Sequence, residues 1–205
     1  MNETARARSD FYGLLSELLS FPTEKLVEAC REGQIRSAAE NIAALLPYDL
    51  PEEPFAGLVE PEMEYLDLQS DYIRLFDLPG GGPAMPLYAG VFAASRRDSM
   101  EELLRFYRHF GLTVSGEAHD LPDAIPTVLE FLHFLAFREA NLGEGDDPAP
   151  VRAAQSDVLG RHLLGWSAEA AKRVDGKNPP AFYRAVLHLL HSYCDCEAAS
   201  LTQAV

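Results

Sequence analysis

The 205-residue chain is 47% hydrophobic and has a formal net charge of −15, from 32 acidic and 17 basic side chains. That length and apolar fraction suit one globular domain that buries a core without covalent staples. The charge argues against nucleic acid and anionic membrane, which demand a basic face, and fits a basic partner. Three cysteines, Cys30, Cys194 and Cys196, are an odd number without disulfide-framework spacing, as expected in a reducing compartment. No apolar stretch follows Arg6 and Arg8, the Arg96-Arg97 pair is internal, and Phe131–Phe137 is too short to span a bilayer. The cytoplasm is therefore the expected compartment.

Helical periodicity recurs along the chain and strand alternation is nearly absent. Phe11, Leu14, Leu15, Leu18 and Leu19 make one apolar stripe, ended by Pro22. Thr23 caps a short helix to Arg31, Gly33 breaks the chain, and a third helix spans Gln34–Leu46. A proline-rich loop is predicted over 47–61, then a helix over Glu62–Phe76 that stops at the Leu78–Pro83 stretch. Asp98 or Ser99 caps the next helix, which runs to Phe110. Asp123–Asn141 is read as the central helix, with Pro126 in its first turn and apolar residues on two faces. After a loop at 143–150, helices are predicted over Val151–Trp166, Ser167–Val174 and about Pro180–Ala199. The expected architecture is all-α, one domain over 1–205, with mobile loops near 47–61, 77–86 and 143–150.

Catalytic chemistry has little support. Gly80-Gly81-Gly82 lacks the Lys-Ser/Thr of a phosphate loop, and no Gly-x-Ser-x-Gly elbow occurs. His188, His191, Cys194, Asp195 and Cys196 are metal-ligand types. At about 100° per residue, however, the histidines fall on a polar face and Cys196 near the apolar stripe, far from Cys194. No metal or cofactor is expected. Glu130 and His133 on the central helix read either as a structural polar pair or as the rim of a peptide groove. Between Asp49 and Asp77, nine acidic residues face one base, Arg74. That stretch is either a solvated face or a surface for a basic partner.

Several landmarks occur in a telling order. Tyr72-Ile73-Arg74-Leu75-Phe76 is followed by a Gly/Pro-rich stretch, Pro86-Leu87-Tyr88, the segment Met100–Gly111, and Leu121-Pro122-Asp123 with Leu129-Glu130-Phe131-Leu132. Together they resemble the TorD/DmsD/NarJ family of molybdoenzyme maturation chaperones, over roughly Phe11–Tyr193, with the wording nearest the NarJ-like branch. One position departs: Ala124 follows Asp123 where many members have histidine, and nearby His119 is no substitute because Pro122 intervenes.

The resemblance implies a compact all-α fold of the TorD-like type and a cytoplasmic, non-enzymatic chaperone, monomeric or homodimeric. It implies a partner, the catalytic subunit of a molybdopterin oxidoreductase, and in some members of the family also that subunit's twin-arginine leader. It places client-peptide binding at Tyr72, Leu75 and Phe76, Pro86 and Tyr88, and the helix start at Asp123. Asp71, Asp77 and Glu130 are the polar contacts that reading adds from the residues themselves. Leu75 and Phe76 read equally well as plain core. The rival readings are a helical adaptor unrelated to molybdoenzymes, and a small metal- or nucleotide-handling protein using His188, His191 or Gly80–Gly82.

Overall fold

A computed structural model describes residues 2–77, 85–113, 121–177 and 179–203. The expected loop at Pro79–Pro83 and the residues His119 and Asp120 lie outside them. The helices are α1 (Glu3–Leu19), α2 (Glu24–Arg31), α3 (Gln34–Ala43), α4 (Glu53–Ala56), α5 (Tyr65–Tyr72), α6 (Arg96–His109), α7 (Ile125–Ala140), α8 (Ala149–Val158), α9 (Leu164–Val174) and α10 (Ala181–Gln203). Among the described residues the only β pairing is the isolated antiparallel bridge Tyr88–Ala124. The all-α expectation holds.

Helices α1 and α7 form the spine and run antiparallel. Asn2 N–H donates to the Ala140 carbonyl, Ser9 Oγ to the His133 carbonyl, and Ser16 Oγ to the Pro126 carbonyl. These three bonds fix one register along the full contact. Val128, Leu129, Leu132 and Leu135 are fully buried there, so the central placement of α7 is correct. Its outer side is more open than predicted: Phe131 is buried, Phe134 half-buried and Phe137 exposed. Helix α10 lies against α9 and α4. A Cβ on Gly57 would sit 2.6 Å from the Ala185 Cβ, so the small residue at 57 permits that approach.

Several boundaries differ from the sequence reading. Helix α1 begins at Glu3, capped by Asn2, because Ala5, Ala7 and Arg8 are buried and extend the Phe11 stripe backwards. Helix α4 occupies part of the expected loop at 47–61, with Phe55 buried. Ser95, not Asp98 or Ser99, caps α6. The predicted Glu62–Phe76 helix starts only at Tyr65 and ends in a π turn, Ile73–Asp77. Helix α8 starts at Ala149, inside the expected 143–150 loop. No helix ends at Trp166. A π turn at Leu159–Leu163 joins α8 to α9 and carries His162 and Leu163 into the core.

Helix α10 also corrects the cysteine assignment. It is covered on more sides than one stripe predicts, so Cys194 is the fully buried thiol. Burial pushes its pKa up. Cys196 is half-buried, with its sulfur near the Asp49 carbonyl.

Candidate binding surface

The segment beginning at Met85 links the π turn to the start of α7. Met85 N–H donates to the Leu75 carbonyl at 2.9 Å, Ala89 N–H to Asp123 at 2.7 Å, and Ile125 N–H to Leu87 at 2.9 Å. Trp166 Nε1 donates to the Pro86 carbonyl. Pro86 is thereby pinned and half-buried, as is Tyr88.

Asp123 is the largest departure from expectation. It was expected at an accessible helix start, and it is fully buried. Arg96 Nε donates to its carboxylate at 2.9 Å, Arg96 Nη2 at 3.3 Å and Gly90 N–H at 3.3 Å. Burying that charge demands these partners. The Arg96 guanidinium lies over the Tyr88 ring, 4.4 Å from its centroid. The hydrogen bond to Asp123 raises the Arg96 pKa. Gly90 is required here, since a Cβ would lie 2.6 Å from Arg96 Cγ and 2.9 Å from Asp123 Oδ2. Tyr107 donates to the Pro122 carbonyl and braces the same turn.

Tyr72, Leu75 and Phe76 belong to a second cluster. Leu75 and Phe76 are core residues. Tyr72 donates to the Leu19 carbonyl and packs edge-on against Phe21 and Phe76. The groove expected from the sequence is thus two clusters, joined through the Met85–Leu75 backbone bond. Outside the second cluster lie exposed apolar side chains: Phe21 at 52%, Leu66 at 71% and Ile73 at 40% relative exposure. Leu66 and Ile73 are seven residues apart, about two helical turns, hence on one side.

Acidic residues border this surface. Asp71 is held by Arg74 and Glu64 by Arg31. Glu62, Asp67 and Asp77 are exposed and have no basic side chain in ion-pair range among the described residues. Glu130 is exposed as well, so the buried-pair reading fails for it. His133 alone is tied into the core edge, through Ser9.

Two constellations have the residue types of catalysis or metal binding. Ser99 Oγ is 3.1 Å from His162 Nδ1, and His162 Nε2 is 3.3 Å from Glu102 but outside hydrogen-bond geometry. Ser99 and His162 are both buried, and burial lowers the His162 pKa. That arrangement positions α6 against the π turn and offers no nucleophile to a substrate. On α10, His188 pairs with Asp175 and His191 with Asp195. Among the described residues no three His, Cys, Asp or Glu side chains group as a metal requires.

The feature missed by the sequence reading is a buried charge network. Arg8 donates to Glu197 at 2.6 Å, Glu139 at 2.8 Å and Gln155 at 2.6 Å, and Arg152 donates to Glu139 at 2.7 Å. Tyr48 and Tyr12 donate to Glu197. Burial on its own would raise the Glu139 pKa, but Arg8, Gln155 and Arg152 outweigh it and lower it. One signal was available: Arg8 sits one turn before Phe11 and two turns before Leu15 on the same stripe.

A family model described as nitrate reductase delta subunit matches residues 34–172, more than half of the chain. The selenate reductase assembly chaperone protein of Thauera selenatis is 36% identical over 58% of this chain, and the match spans 63% of that relative's length. The perchlorate reductase assembly chaperone protein of Dechloromonas aromatica is 29% identical over 92% of this chain and 87% of its own. A solved structure from Archaeoglobus fulgidus, whose proposed role is redox enzyme maturation, superimposes with a TM-score of 0.57 at 21% identity. It covers 92% of this chain and 93% of its own, and shares the fold. The relatives carry the names of chaperones, not of catalysts.

Proposed function

Because the chain belongs to the TorD/DmsD/NarJ family of redox-enzyme maturation chaperones, we propose that it holds the catalytic subunit of a molybdopterin oxidoreductase during assembly. It acts in the cytoplasm as one domain, without catalysis and without a cofactor of its own. Its client lies in the nitrate-reductase-like branch, a reading supported by the delta-subunit model and by relatives named for selenate and perchlorate reductases. No described helix is long and apolar enough to cross a membrane, in keeping with that role.

One observation carries the location of client binding: exposed Phe21, Leu66 and Ile73 beside Glu62, Asp67, Asp71 and Asp77. A leader with arginines next to an apolar stretch matches such a surface, by carboxylate pairing at the rim and apolar contact along Tyr72. Tyr88 and Pro86 border the adjoining Arg96 cluster. Asp123 shapes that cluster from inside and touches no client. Leu75 and Phe76 support the surface from beneath, and Glu130 lies on another side of α7.

The test is a titration of a twin-arginine leader peptide from a molybdopterin oxidoreductase at two salt concentrations. The Asp71→Asn/Asp77→Asn variant is expected to keep its helicity and melting temperature while losing affinity and salt dependence. Wild-type affinity and salt dependence in that folded variant would place the leader elsewhere.

A further inference from the structure

The arginines of this acidic chain are almost all committed. Eleven of the 14 sit against a carboxylate. Arg105, Arg108 and Arg138 have no carboxylate within 4.0 Å among the described residues, and all three are exposed. Arg105 and Arg108 lie one turn apart near the C-terminal end of α6. Arg138, on α7, reaches over the Phe110 ring at 5.5 Å. In a chain with 32 acidic side chains, these three arginines lack a carboxylate partner among the described residues.

The corner adjoins a cavity of about 490 Å³ between α6 and α8. Phe106 and Phe110 line its α6 side and Ala153 and Ala154 its α8 side, with Arg105 and His109 at the rim. At the other end, Glu102 and Asp157 share Arg161, which offsets one of their two charges. Counting Arg105, Arg108, Arg138 and Arg161 against Glu102 and Asp157, the corner around the cavity is net positive, over an aromatic and alanine floor.

We propose that this cavity docks an acidic amphipathic segment of a partner polypeptide, with apolar side chains on Phe106 and Phe110 and carboxylates on Arg105 and Arg138. The observation is independent of the leader surface and opposite to it in charge: that surface selects cations, this one anions. A net charge of −15 disfavours a second copy of the chain as the occupant.

Two synthetic amphipathic helices test this against the whole chain. They share one leucine stripe and differ only in flanks of glutamate or lysine; a third keeps the glutamates and replaces leucine by serine. Fluorescence anisotropy reads the affinity, and circular dichroism and melting check each variant. The glutamate-flanked helix should bind in a salt-dependent way, and Arg105→Glu/Arg138→Glu should weaken it about tenfold, the sum of several rim charge contacts. Arg97→Glu, exposed but paired in the wild type, should leave it unchanged.

Unchanged binding by the folded Arg105→Glu/Arg138→Glu variant overturns the proposal. So does equal binding of the serine helix, which would mark a plain anion site, or self-association that this variant abolishes, which would mark an interface between copies. Asp71→Asn/Asp77→Asn should weaken only the lysine-flanked helix, so failure of the leader reading and failure of this one are distinguishable.

Discussion

Two arginines in this protein each pair with a fully buried carboxylate, and their surroundings differ. Arg8 is enclosed: it joins α1 to α7, α8 and α10 through Glu139, Gln155 and Glu197, with 5% of its side chain exposed. Arg96 closes over Asp123 from outside, with 40% of its side chain exposed and one aromatic face beneath it. The first pair is a clasp inside the fold, where every donor and acceptor is matched. The second sits at an edge, next to the half-buried Tyr88 and a cavity of about 440 Å³ that Arg96 itself lines. The lesson concerns accessibility: equal pair geometry means structure in one place and a reachable surface in the other.

The comparison is broken most severely at Arg8. Arg8→Met leaves Glu139 and Glu197 buried with too few partners and should cost about 3–5 kcal/mol, read by urea unfolding. A loss below about 0.5 kcal/mol, the size of an ordinary surface change, would contradict a closed clasp. Leu132→Ala, in the fully buried contact of α7, should cost about 2–5 kcal/mol by the same measurement and serves as the purely apolar reference.

A double-mutant cycle sharpens the contrast at Asp123. Arg96→Met strands a buried carboxylate, whereas Asp123→Asn keeps the shape and removes the charge. The single Arg96→Met should therefore be the less stable of the two. The loss in Arg96→Met/Asp123→Asn should fall short of the sum of the two single losses by about 1–3 kcal/mol of coupling. Additive losses would mean that the pair contributes nothing at its open edge.

The smallest effect is in pH. The Glu139 pKa is lowered from 4.5 in the folded chain, so the unfolded chain binds its proton first as pH falls. The stability it supplies is complete above pH 4.5 and lost as pH drops through the lower folded value. His162, lowered from 6.5 by burial, acts in the same direction from pH 6.5 downward. Stability measured by urea unfolding should decline in two stages below neutrality. His162→Gln should remove the upper stage and leave the lower one.

Much of the helical layout was legible in the sequence because it depends on local rules. Thr23 caps α2 through its own side chain, Gly33 takes a left-handed turn before α3, and Pro126 sits in the first turn of α7. The family resemblance was legible too, since it rests on the order of short motifs. The site was read less well. Tyr72, Leu75 and Phe76 were correctly placed near one another, but the motif could not separate the half-buried ring from the two core residues.

The sequence by itself determined the helical class, the apolar stripe of α1, the dominance of α7 and the excess of acid between Asp49 and Asp77. Those properties follow from periodicity, capping and composition, all of which act within a few turns of chain. Only the tertiary structure decided that Asp123 is inside, that Arg8 is a core residue, and that Cys194 rather than Cys196 is fully buried. Each of these depends on which distant helix covers a given face: α6 brings Arg96 to Asp123, α7, α8 and α10 close over Arg8, and α10 is covered on more sides than one. A single helix does not encode the position of its neighbours, so the burial of its polar side chains is fixed only when the helices pack.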